Sequence, residues 1–114
     1  MLCCIFFYRK MKRTTTNDVE QHLISLFNDS KKIIDTEKAV KAQAMLKRIL
    51  AAFKVISIYD NMEHSEIVKM LYFNKNNINV LGVQKMAKKL FISERALYNL
   101  RKKYCQLAKI IMEE

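Results

Sequence analysis

The chain contains no proline, and Gly82 is its only glycine. Glycine reaches left-handed backbone freely and proline presets the corner of a turn, so β-rich folds draw heavily on both. A sheet protein of 114 residues would need many such corners. Where they are scarce and Lys, Leu, Met, Ala and Glu are common, helices joined by polar loops are what remains. The expected fold class is all-α, a small bundle of about five helices around one core, since a chain this short has room for one domain.

Apolar spacing places the helices. Asn17 and Glu20 stand at capping-box distance, and Val19, Leu23, Leu26 and Phe27 follow at helical intervals, which predicts a helix over 18–27. Asp35 or Thr36 can cap the next segment. There Ala39, Ala42, Leu46, Ile49, Phe53 and Ile56 advance in steps of three and four, flanked by Met45, Leu50 and Ala52. Lys38, Lys41, Lys47, Arg48 and Lys54 take much of the opposite surface. This predicts an amphipathic helix over 37–60, roughly 36 Å long. Its stripe reads as core. A coiled-coil dimer seam is the alternative, because so long a helix can outrun a small core. Ile67, Val68, Leu71 and Tyr72 predict a short helix over 65–73, and the Asn-rich run 74–79 a loop. Two helices follow.

The first residues, MLCCIFFY, precede Arg9, Lys10, Lys12 and Arg13. The apolar run is far below the roughly 20 residues that span a bilayer, and a signal peptide would carry its charges before that run. Residues 1–13 are expected to be an N-terminal extension adding some apolar packing, with a membrane-touching or partner-binding tail as the sharper alternative. Residues 14–114 form the single helical domain. Cys3, Cys4 and Cys105 are odd in number and lack metal-ligand spacing, and neither His22 nor His64 lies near a cysteine in sequence. Free thiols in a reducing, cytoplasmic setting are expected, with no metal and no cofactor.

Formal net charge is +10. Such a balance favours a polyanionic partner, nucleic acid or an anionic membrane surface, although a lysine-rich surface is also a common compositional habit. Its distribution says more. Between Val83 and Lys109 eight basic residues face one acid, Glu94, for a net of +7. An enzyme is not expected: there is no glycine-rich phosphate loop, no metal spacing and no nucleophile–base pattern, hence no catalytic residue. Glu63, His64 and Glu66 cluster near a loop, but carboxylates at a helix start suit its positive dipole end.

The window VQKMAKKLFISERALYNLRKKY, residues 83–104, meets the demands of a helix-turn-helix. Ala87 is the small residue where two helices cross. Val83, Met86 and Leu90 are inner anchors of the first helix. Ile92 is the buried turn residue, Ser93 the cap of the second helix, and Leu97, Leu100 and Tyr104 its inward face. Phe91 departs from the pattern, standing where many such motifs place glycine.

The longer stretch HSEIVKMLYFNKNNINVLGVQKMAKKLFISERALYNLRKKYCQLAKII resembles the C-terminal DNA-binding region of sigma-type factors. It is equally similar to small phage-type transcription regulators of the ArpU and RinA kind. The resemblance covers roughly 65–112, less than half the chain, and rests on pattern. The part before it does not match a sigma core-binding region, so a complete sigma factor is not implied. What is implied is a bacterial or phage DNA-binding regulator whose recognition helix starts at Ser93 and enters the major groove. Arginine pairs with guanine and asparagine with adenine. Arg95 and Asn99 are therefore the leading base-contact candidates, joined by Ser93, Glu94 (toward cytosine) and Tyr98 (toward backbone or a thymine methyl). Lys85, Lys88, Lys89, Arg101, Lys102 and Lys103 are the phosphate candidates. Double-stranded DNA is the expected partner, with RNA polymerase and a second copy of the chain as further candidates and no membrane partner. The rival reading is a non-enzymatic protein–protein interaction module with a basic surface, using the long helix as its binding face. The tail beyond Tyr104, with Leu107, Ala108, Ile110, Ile111 and Met112, either supplies a dimer seam or closes the core.

Overall fold

A computed structural model describes residues 15–32 and 36–113. They form five helices, with no strand among the described residues: α1 (Thr16–Ser30), α2 (Thr36–Asp60), α3 (His64–Leu71), α4 (Ile78–Lys89) and α5 (Glu94–Glu113). The all-α class is the one expected. The N-terminal extension and the candidate cap Asp35 lie outside the described residues.

The first helix begins earlier than 18, and its cap is Thr15, not Asn17. Thr15 Oγ1 accepts from the Asp18 amide at 3.2 Å while the Asp18 carboxylate accepts from the Thr15 amide at 3.1 Å, a reciprocal capping box. Glu20 is not available for capping because it points inward. It is 1% exposed, on the same face as Leu23 and Ile24. The second helix carries the predicted stripe into the core through Ala39, Ala42, Ile49 and Phe53, with Met45, Ala52 and Ile56 partly buried beside them. It ends where Asn61 turns left-handed at φ 57°, a conformation asparagine tolerates better than most residues.

Beyond Asn61, α3 packs against α2, and Val68, Leu71 and, just past the helix end, Tyr72 are fully buried. It spans 64–71 where 65–73 was expected. The Asn-rich loop is also shorter than expected. Asn77 Oδ1 accepts from the Asn79 amide at 2.9 Å, capping a helix that begins at Ile78. A reciprocal amide pair then fastens this corner to α1: Gln21 Nε2 donates to Asn79 Oδ1 at 2.9 Å, and Asn79 Nδ2 to Gln21 Oε1 at 2.7 Å. Gly82 breaks α4 in two, with φ 80° and ψ 169°, a region essentially reserved for glycine. A Cβ there would meet nothing within 4 Å, so the requirement is conformational and not one of space. The final helix closes the core through Leu97, Tyr104, Cys105, Ala108, Ile111 and Met112, leaving Ile110 outside. The tail therefore fills the interior of this chain.

A polar chain, buried at His64 and Tyr104 and open at Asp60, ties α2, α3 and α5 together. His64 is fully buried, its Nε2 2.5 Å from Asp60 Oδ2 and its Nδ1 2.6 Å from the Tyr104 hydroxyl. A carboxylate only accepts, so Nε2 carries the proton shared with Asp60, and in the neutral ring Nδ1 accepts from Tyr104. The Tyr104 ring also meets Phe53 edge-on, centroids 5.1 Å apart. Both nitrogens of His64 are thus spent on joining helices. Glu63 is exposed, and Glu66 pairs with Lys69 at 3.3 Å.

The hydrogen bond from His64 holds the Asp60 carboxyl below its ordinary range. A depressed carboxyl contributes stability in full above its unfolded pKa, about 4, and loses it as pH falls through the lower folded value. Asp60→Asn is accordingly expected to flatten the loss of thermal midpoint on acidifying below about pH 4. An acid limb identical to the parent's would show that this link does not couple to folding.

Candidate nucleic-acid interface

Residues 83–104 form the second part of α4, a tight turn and the first half of α5. Met86, Ala87 and Leu97 are buried at the junction of α4 and α5, and Leu90, Ile92 and Leu100 pack against the same core. Val83 is a correction: it is 37% exposed and does not anchor the motif. It is the first residue after the Gly82 break, and Leu81, just before the break, packs against the core instead.

The turn settles the question raised by Phe91. Its backbone is left-handed at φ 59°. The Ile92 amide donates to the Ala87 carbonyl at 3.0 Å, and the Phe91 amide to that of Lys88 at 3.1 Å. This is the paired bonding of a Schellman motif, with Phe91 in the position that usually takes glycine. The turn therefore keeps its usual shape and bears the strain. The Phe91 side chain is 94% exposed and returns no packing. Phe91→Gly is expected to raise stability by up to ~1 kcal/mol, the relief of left-handed strain less the added unfolded-state freedom. Chemical denaturation measures it, and a destabilised variant would mean that the ring packs in solution.

Ser93 then starts α5. Its Oγ accepts from the Ala96 amide at 3.0 Å and its carbonyl from the Leu97 amide at 3.0 Å. From this cap the helix sends Leu97, Tyr104, Cys105 and Ala108 inward. Helical spacing puts Arg95, Asn99 and Lys102 in one line on the opposite face, with Tyr98 beside them. All four are exposed, as are Ser93 and Glu94. Lys85, Lys88 and Lys89 are exposed on α4, so both helices of the motif present cations to solvent. Gln106 continues the line of Lys102 and is exposed as well. It lies beyond the motif window of 83–104, so the motif pattern alone does not single it out.

Arg101 does not belong to this exposed set. Its Nε donates to Glu20 Oε2 and a terminal nitrogen to Glu20 Oε1, both at 2.7 Å, a two-pronged ion pair between α5 and α1. The Tyr72 hydroxyl, just past the end of α3, donates to Glu20 Oε2 at 2.6 Å and joins the same cluster. Glu20 thereby holds the Arg101 guanidinium above its ordinary pKa, and burial raises that of Tyr72. Cys105 lies against this cluster, and burial, then the Glu20 charge, pushes its thiol up to about 12, so it stays protonated and unreactive near neutrality. Lys103 is half exposed, 3.5 Å from Asp60, and remains open to solvent.

Among the described residues no group of three or more His, Cys, Asp or Glu could hold a metal ion, and no helix is long and apolar enough to cross a membrane. Compared with known proteins, the chain matches no family model, no curated protein and no solved structure.

Proposed function

We propose that this protein is a double-stranded DNA-binding transcription regulator that reads sequence with the outer face of α5. The observation that carries the reading is the placement of Arg95, Asn99 and Lys102 in one solvent-facing line just after a tightly made helix-turn-helix corner. Arginine and asparagine are the side chains best able to grip a purine edge with two hydrogen bonds. The lysines on α4 and α5 suit phosphates on either side of the groove. The sigma-like pattern of 65–112 supports a role in transcription, with RNA polymerase as a candidate second partner. The reading involves no catalysis and no cofactor, and it suits a protein of the cytoplasm.

The test is selection of a site from random duplex DNA, followed by the single variants Arg95→Ala and Asn99→Ala. Each is expected to cost ~1–3 kcal/mol of discrimination at one or two base pairs while non-specific binding persists. If both variants bind the selected site as the parent does, α5 is not reading the groove with this face.

A further inference from the structure

The long helix α2 is apolar on two sides, and the core uses one. Opposite Ile49 and Phe53, residues Val40, Ala44, Ala51, Val55 and Ile58 follow at steps of four, seven, four and three, with Tyr59 at the end. That spacing holds them on one side of the helix. All six are exposed, Ile58 by 77% and Tyr59 by 85%. Isolated exposed apolar residues are ordinary, but six along one side of a helix mark a contact surface, here with Lys47 and Arg48 flanking the turn between Ala44 and Ala51.

The borders of the row identify what it would contact. Lys47 and Lys54 run along one side, Lys41 and Arg48 along the other. From Lys38 to Tyr59 the helix has no acidic residue. Glu37, at its start, pairs with Lys41 at 3.4 Å, and Asp60, at its end, faces His64. A second copy would set lysine against lysine in either orientation, which disfavours a homodimer. A lipid surface would welcome the charge, but membrane-lying helices insert bulky side chains, and the centre of this row is Ala44 and Ala51. Two alanines between bulkier ends make a shallow saddle that admits the large side chains of another helix at short distance. We propose that the outer face of α2 docks an amphipathic helix of a partner protein whose apolar seam is bordered by Asp and Glu. The row from Val40 to Tyr59 would seat about five turns, a partner helix of about 20 residues. The proposal uses no residue of α4 or α5 and is independent of the DNA reading.

The experiment uses the full chain and two synthetic helical peptides of about 20 residues, each with a Leu/Ile seam. One has Glu at both bordering positions, the other Lys. The Glu-bordered peptide is expected to bind saturably and the Lys-bordered one not to bind. Ala51→Glu and Ile58→Asp, both at solvent-facing positions, should weaken binding about tenfold or more. Lys47→Glu combined with Lys54→Glu should shift preference to the Lys-bordered peptide. Circular dichroism checks that each variant keeps its helices. No binding of the Glu-bordered peptide, or binding indifferent to these substitutions, overturns the proposal. So does sedimentation with phosphatidylserine vesicles that Ile58→Asp abolishes, which would make this a lipid face. A dimer dissolved by the same substitution would make it a self-association face and overturn the proposal equally.

Discussion

Arg101→Ala is expected to destabilise the fold by about 3–5 kcal/mol, a far larger effect than removal of any exposed lysine. The reason is what it leaves behind. Glu20 is 1% exposed, and its two oxygens accept from Arg101 and Tyr72. Without the guanidinium, a buried carboxylate has no cation to offset the loss of its water, whereas the pair together is roughly neutral against an apolar alternative. Replacing Glu20 and Arg101 together by Met should therefore recover most of the loss, short of about 1 kcal/mol for the Tyr72 hydroxyl left without its acceptor. Denaturant midpoints of the two single variants and the double decide the matter. If Arg101→Ala keeps parental stability and loses only DNA affinity, the ion pair is not formed in solution and Arg101 returns to the phosphate-contacting set.

This residue also marks the boundary of what the sequence could tell. The helices and their inner faces follow from local spacing, which is why the α2 stripe, most of the Asn-rich loop and the turn between α4 and α5 are legible without coordinates. Arg101 misleads because its partner lies 81 residues away on α1. A signal was present nonetheless. Glu20 shares the face of Leu23, Ile24 and Phe27, and a charge on an apolar face must find a buried partner. Spacing says that such a partner exists but not which cation it is. His64 is similar, since nothing local points to Tyr104. Val83 departs from its expected place for a different reason. Its spacing to Met86 and Leu90 is correct for an anchor, but Gly82 breaks the helix just before it, and one glycine in the sequence does not announce which way the chain will bend. Phe91 reads as an anomaly until its hydrogen bonds are seen; the corner is ordinary and only its occupant is unusual.

Removing Arg101 from the phosphate candidates changes what DNA binding should look like. Five exposed lysines remain, Lys85, Lys88 and Lys89 on α4 and Lys102 and Lys103 on α5. Lys103 counts among them because a half-exposed pair with Asp60 at 3.5 Å is worth little and yields readily to a phosphate. Each cation that neutralises a phosphate releases condensed counterion, so log affinity is expected to fall against log salt with a slope of about −4.5. Between 50 and 200 mM salt that amounts to a loss of about 500-fold for a specific site. Had Arg101 contributed, the slope would be steeper by about 0.9, a difference that titrations at four or five salt concentrations resolve. Single lysine-to-alanine variants should each reduce the slope by about 1 and weaken binding to all sequences alike, unlike Arg95→Ala and Asn99→Ala, which should leave the slope nearly intact. A flat salt response would remove the lysine face from the interface and with it the proposed docking of this motif on DNA. A steep slope carried by lysines of α2 instead would place the nucleic acid on α2 and overturn both the groove reading and the partner-helix proposal.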